Sequence, residues 1–370
     1  MLKSSLMDII LNLNAGELKS LSEYIHSPFF NKNKNVQKLF DYIAKQAPEF
    51  APEKMNKEYV YKKLFGSEAF NDGFMRSLIF MITQLAEDYL AYFNYSKDSY
   101  NSKVSLLNEL NERNIDRILS KNIKLYEKEF SEEEIKDDKY FKAKYELEAI
   151  KNDSQILKER FLNKKEIKED LTHNLLEYKI IQFFISIISN YIFILNREHL
   201  VNMDHDLIFL NEMITFIEKN KDHYSSLPIL MFYYCHLRMT MEPDNEHYYR
   251  ELKKIVLDPE NTMSHLDRYN GIIGLQNFCI RQYNSGKREY QQEFFDMLEF
   301  TLAGGYFTPQ KGGDFVPQNF KNYVIFGTNM KKYDWTENFI KNYRKKLSPE
   351  HRQNAYNFSM AKIYFSKDGF

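Results

Sequence analysis

Glycine and proline are scarce in this chain, 12 and 9 among 370 residues. Barrels, sandwiches and flexible linkers use both freely in their turns, so this scarcity argues against all three. There are two cysteines, Cys235 and Cys279. They lie far apart, with neither metal spacing nor a disulfide framework, and read as small buried hydrophobes in a reducing compartment. An excess of one charge is also missing. Lys and Arg total 51 against 52 Asp and Glu, a formal net charge of −1, so no overall field draws the protein to nucleic acid or an anionic membrane. Residues 1–10 contain neither the long apolar core nor the small-residue cleavage site of a signal peptide. One run has membrane character, Ile180 to Leu195. It is shorter than the ~20 residues of a span, and Gln182, Ser186, Ser189 and Asn190 interrupt it. The expectation is a helix buried on several sides, in a cytoplasmic protein without a membrane segment.

What the chain does contain is material for a core. Apolar residues make up 43%, charged residues 28% and aromatics 16%, nearly all Phe and Tyr with a single Trp. Helical periodicity runs almost throughout. Asn14 with Glu17 forms a capping pair for a helix through Leu18, Leu21, Tyr24 and Ile25 that ends at Ser27-Pro28. Asn56 starts a helix that stops at Gly66, and Asn71-Asp72 starts a long one with Met75, Leu78, Ile79, Ile82 and Ala86 on one stripe. From about residue 98 the helices become longer and more charged. Ser131 with Glu134 has the form of a capping box, and the helix after it carries a Lys/Glu face that reads as solvated. The polar stretch Asn152 to Asp170 suits a bent helix or a connector. Helices then follow in pairs with short connections, at about 204–220 and 225–241, 245–257 and 263–284, and finally 287–303, 317–330 and 334–347. Consecutive antiparallel helices without strand signals imply an all-α protein: a small helical N-terminal domain over residues 1–97 and a helical repeat array over 98–370.

No constellation announces chemistry. Asp204-His205-Asp206, with His199 nearby, looks metal-like, but neighbouring residues on a helix diverge and Asp204 serves better as a cap for a helix from Leu207. Cys235-His236 diverge for the same reason, leaving a buried thiol beside a packed histidine. The glycines from Gly304 to Gly313 lack phosphate-loop spacing and follow a helix, not a strand. No catalytic residue, cofactor or metal is expected.

The last residues, Asn357 to Phe370, resemble the first half of a tetratricopeptide repeat. Met360 and Ala361 match its Leu and small residue, Tyr364 its aromatic, Asp368-Gly369 its turn, and Phe370 opens a second helix. Because a half repeat cannot bury its apolar face, the array is expected to continue past Phe370. Tyr333, Thr336 and Ile340, closed by Ser348-Pro349, resemble a second repeat helix. Gly327 departs from the pattern where an aromatic belongs. The resemblance implies a degenerate tetratricopeptide-like α-solenoid.

Residues Lys38 to Tyr92, with Lys63-Leu64-Phe65 and Arg76, are similar in order to the helical part of a winged-helix domain from bacterial transcription regulators. That likeness implies duplex DNA binding through Arg76. Against it, Glu87 and Asp88 share the helix and no wing follows Leu90. The chain as a whole resembles an uncharacterised bacterial all-helical family, on Ser27-Pro28-Phe29-Phe30-Asn31-Lys32, Lys63-Leu64-Phe65, Asp334-Trp335 and Asn354-Ala355-Tyr356-Asn357. No activity comes with that likeness. The expected function is a non-enzymatic cytoplasmic scaffold holding a protein or peptide partner on a concave helical face, with Tyr234, Arg238, Asn277, Arg281, Asn354 and Asn357 as candidate partner-binding residues and Trp335 as a packing residue. Nucleic acid is not the expected partner.

Overall fold

A computed structural model describes residues 1–66, 69–159, 172–201 and 205–367. Among these the structure is all-helical, with eighteen α-helices, one short 3-10 turn and no strand. The chain divides into two compact units, Met1–Leu106 and Leu107–Phe370.

The first unit contains α1 (Ser5–Leu11), α2 (Ala15–His26), α3 (Lys34–Ala44), α4 (Lys57–Phe65) and α5 (Asp72–Lys97), and the division between units falls inside α6 (Ser99–Glu112). Four of these helices start on an asparagine whose side chain accepts from the first free backbone N–H groups: Asn14, Asn33, Asn56 and Asn71. Each such cap contributes about 1 kcal/mol. At Asn14 the Glu17 carboxylate also accepts from the Asn14 N–H, completing the capping box. Gly66, at φ +96°, ends α4 in a conformation open to glycine. α1, α2, α3 and α4 all pack on α5, which buries Met75, Leu78, Ile82, Ala86 and Tyr89 at helical spacing against them. α5 runs unbroken to Lys97, and Arg76 on its surface pairs with Asp72 at 2.6 Å.

The second unit is built from α7 (Asp116–Glu132), α8 (Asp138–Glu159), α9 (Thr172–Val201), α10 (Leu210–Lys219), α11 (Lys221–Tyr224), α12 (Pro228–Met241), α13 (Glu246–Leu257), α14 (His265–Asn284), α15 (Tyr290–Gly304), α16 (Pro317–Asn329), α17 (Tyr333–Tyr343) and α18 (Pro349–Lys367). α8 packs on α9 and α9 on α12; α12 packs on both α13 and α14; α14 packs on α15; α16 packs on both α17 and α18. Trp335 stacks on Phe339 at 5.5 Å between ring centres and meets Phe295 edge-on at 4.8 Å. A Cβ on Gly327 would come within 2.4 Å of Thr336 and 3.0 Å of Trp335, so glycine is what lets α16 lie against α17.

Several expectations are corrected. Ser131 lies in the last turn of α7, and the helix expected to start there begins at Asp138, where the Asp137 carboxylate accepts from the Tyr140 N–H at 3.0 Å. The Lys/Glu face of α8 is not wholly solvated. The side chains of Lys144, Glu148 and Lys151 are 12%, 5% and 19% exposed, because α7 and α9 pack over them: Lys144 lies over the rings of Phe130 and Tyr178, and Glu127 of α7 pairs with Lys151 at 2.6 Å. α9 is longer than the apolar run suggests, and only 33% of its most apolar window is buried. Leu176, Phe183 and Phe193 are exposed on it. By length and composition it is the one described helix able to cross a membrane. α10 starts at Leu210, not Leu207. Asp204, the His199 side chain, residues 160–170 of the polar stretch and Asp368-Gly369-Phe370 lie outside the described residues.

Candidate functional site

The second unit is shaped by a close approach of backbones. A Cβ on Gly271 would stand 2.7 Å from Phe232 and from Val256, and one on Gly274 would stand 2.2 Å from Nε2 of His236. Real side chains do not tolerate such separations, so two glycines one turn apart let α14 press on α12. The imidazole of His236 is therefore clamped against the α14 backbone. It is 5% exposed, its Nε2 has no hydrogen-bond partner, and burial draws its pKa down to about 4. At neutral pH it is an uncharged ring.

Beside this contact opens a cavity of about 310 Å³ between α9, α12 and α14. α9 contributes Ser189, Phe193 and Asn196 to its wall. Tyr233 and His236 come from α12, and α14 adds Asn270, Ile273 and Asn277. On α9 and α14 these residues recur three or four apart, which puts each set on one helix face. Each asparagine offers two donors and an acceptor, while exposed Phe193 and half-buried Ile273 supply apolar surface. The arrangement suits holding a polar chain.

It does not suit proton transfer or nucleophilic attack. The Tyr233 hydroxyl donates to Asp267 at 2.6 Å, and burial, reinforced by that carboxylate, raises its pKa well above the usual phenol range. Burial pushes the Cys235 and Cys279 thiols up to about 12, so both stay protonated. No cluster of three His, Cys, Asp or Glu able to hold a metal occurs among the described residues.

The candidate residues fall in three places. Asn277 lines the cavity, and Arg281 follows it one turn along α14. Tyr234 and Arg238 are brought together elsewhere. The Tyr234 hydroxyl donates to Glu218 of α10 at 2.7 Å, and the Arg238 guanidinium pairs with Glu218 and Glu242 and lies over the Tyr248 ring of α13. Their polar groups are engaged within the unit, away from the cavity. Asn354 and Asn357 are exposed on α18, where Asn357 accepts from Gln353 at 2.9 Å. The cavity does not include them. Asn196, Asn270 and Ser189 escape a reading by sequence as site residues, and His236 is buried beside Cys235 as expected without its place in the cavity wall being legible, although the Gly271-Ile272-Ile273-Gly274 spacing signals the close approach that creates the pocket.

Neither a family model, nor a curated protein, nor a solved structure matches this chain.

Proposed function

We propose that the protein is a non-enzymatic cytoplasmic interaction scaffold, in which the second unit is a degenerate tetratricopeptide-like α-solenoid that holds a peptide or partner helix on the face formed by α9, α12 and α14. The observation that carries this reading is the cavity lined by Asn196, Asn270 and Asn277. Asparagines on a rigid helical wall pair with the N–H and C=O groups of an extended chain. Phe193 and Ile273 bury apolar side chains beside them. The solenoid reading is supported by the packing of successive helices from α7 to α9 and from α12 to α18, with next-but-one contacts of α12 to α14 and α16 to α18. Nothing favours duplex DNA as the ligand, since Arg76 is paired with Asp72 and no strand follows α5 among the described residues.

A phage-displayed library of random dodecapeptides selected on the full-length protein tests the reading. Selected peptides should bind the Asn270→Ala/Asn277→Ala double variant roughly tenfold more weakly, about 1.4 kcal/mol. Enrichment of nothing, or equal binding to the double variant, would refute it.

A further inference from the structure

Along one face of α5 the first unit leaves a cleft of about 630 Å³. The face runs from Arg76 through Phe80 and Gln84 to Glu87, all of which line the cleft at helical spacings of four, four and three. Lys3 and the start of α1 line it as well, with Lys57 from the first turn of α4. A space of this size accepts a small molecule.

Positive charge gathers at one end. Arg76 and Lys57 share a single carboxylate, Asp72, at 2.6 and 3.4 Å. The Arg76 side chain is 72% exposed, so a ligand can reach its guanidinium fork. The Met1 amine lines the cleft too and donates to the Met55 carbonyl at 3.1 Å. Burial lowers its pKa, and repulsion from Lys57 lowers it further, so these cations stand close enough to oppose one another. Lys3 adds a further cation, with no ion pair among the described residues. The carboxylate in the lining, Glu87, stands eleven residues beyond Arg76, about 16 Å along the helix. A group with two negative charges fits the excess that Asp72 leaves unbalanced.

The chemistry changes along the face. One turn beyond Arg76, about 6 Å along the axis, the Phe80 ring lies 60% exposed, a large apolar plane held in water. One turn further, Gln84 is exposed and offers an amide with two donors and an acceptor. Cations, a bare aromatic ring and an amide thus follow one another on a single rigid helix.

We infer that this cleft binds a nucleoside monophosphate, with the phosphate at Lys57 and Arg76 and the base stacked on Phe80 within reach of the Gln84 amide. A phosphate monoester carries nearly two negative charges at neutral pH and has three oxygens that accept from Arg and Lys together. Every base has a flat face that stacks on an aromatic ring, and a base edge pairs with an amide. A phosphotyrosine side chain shares the phosphate and the ring but carries no polar ring edge for Gln84. The inference concerns the first unit alone and does not depend on the peptide-binding reading of the second.

Titration calorimetry of the full-length protein tests it, with the four common nucleoside 5′-monophosphates, their nucleosides, inorganic phosphate and O-phosphotyrosine as ligands. At least one monophosphate should bind about tenfold more tightly than its nucleoside, inorganic phosphate or O-phosphotyrosine, and more weakly as salt rises from about 50 to about 200 mM. Lys57→Gln should weaken that monophosphate about tenfold and flatten its dependence on salt. Phe80→Ala should weaken it about tenfold and leave the salt dependence intact. A thermal midpoint within about 2 °C of wild type shows each variant to be folded, and Arg76→Gln, at a more exposed position, takes the place of Lys57→Gln should that variant unfold. No binding of any monophosphate at millimolar concentration would overturn the inference. So would inorganic phosphate or O-phosphotyrosine binding as tightly as the nucleotides, or affinities that the variants leave unchanged.

Discussion

Acid should dismantle the second unit through one histidine. His236 is held neutral by burial, with a pKa of about 4 against an ordinary 6.5. The unfolded chain therefore takes up a proton on this ring first as pH falls. The stability it contributes is fully present above pH ~6.5 and is lost as pH drops toward ~4. A tenfold difference in proton affinity between the folded and unfolded chain is worth about 1.4 kcal/mol, so the full loss is about 3 kcal/mol, of which roughly 2.5 has gone by pH ~4.5. The assay is urea unfolding followed by fluorescence of Trp335, the only tryptophan of the chain, stacked on Phe339 inside the second unit. At ~2–3 kcal/mol per molar urea, the midpoint should fall by about 1 M between pH 8 and pH 4.5 because of this residue. His236→Leu removes the titration while keeping an apolar volume. Asp137, whose raised pKa works in the opposite direction and favours the folded state in acid, is common to both proteins and cancels in the comparison. The midpoints of wild type and His236→Leu should therefore converge, or cross, as pH falls. Parallel curves from pH 8 to pH 4.5 would mean that the ring is not held neutral by the fold.

Two further outcomes follow from packing. Gly274→Ala puts a methyl 2.2 Å from His236 Nε2 and should destabilise the second unit by about 1–3 kcal/mol; combined with His236→Ala the cost should largely disappear, which a double-mutant cycle of thermal midpoints would show. Glu148→Ala leaves the buried ammonium of Lys144 without its carboxylate, 3.8 Å away, while Lys151 loses one partner at 2.8 Å and keeps Glu127 at 2.6 Å, and should cost about 3 kcal/mol, most of it at Lys144. A midpoint within experimental error of wild type would show that water reaches both lysines.

How much of this is legible in the sequence depends on how local the determining forces are. The caps at Asn14, Asn56 and Asn71 can be read directly, because an asparagine and the N–H groups it receives lie within three residues. Ser131 with Glu134 has the same form and misleads, since the stripe of α7 reaches Phe130 and keeps Ser131 inside that helix. There the start of the next helix belongs to Asp137. The buried charges of α8 are hidden for a different reason: alternating Lys and Glu read as a wet surface, and only the packing of α7 and α9 over it makes that face interior. The cavity needs three helices whose order in space is not written in any one of them. His236 is legible as a packed ring beside a buried thiol, but what confines it is not, because that atom is the α-carbon of a glycine on another helix.

The four asparagines that open helices in the first unit have a consequence for how the protein ages. Asparagine side chains hydrolyse slowly to aspartate, a change that usually damages a fold by planting charge in it. At Asn14, Asn33, Asn56 and Asn71 the α-linked aspartate product would replace one cap with another that ranks equally. The new negative charge would sit at the positive end of its helix, worth about 0.3–1 kcal/mol in favour of the fold. The residues that start this unit's helices are thus positions where chemical wear leaves the architecture standing.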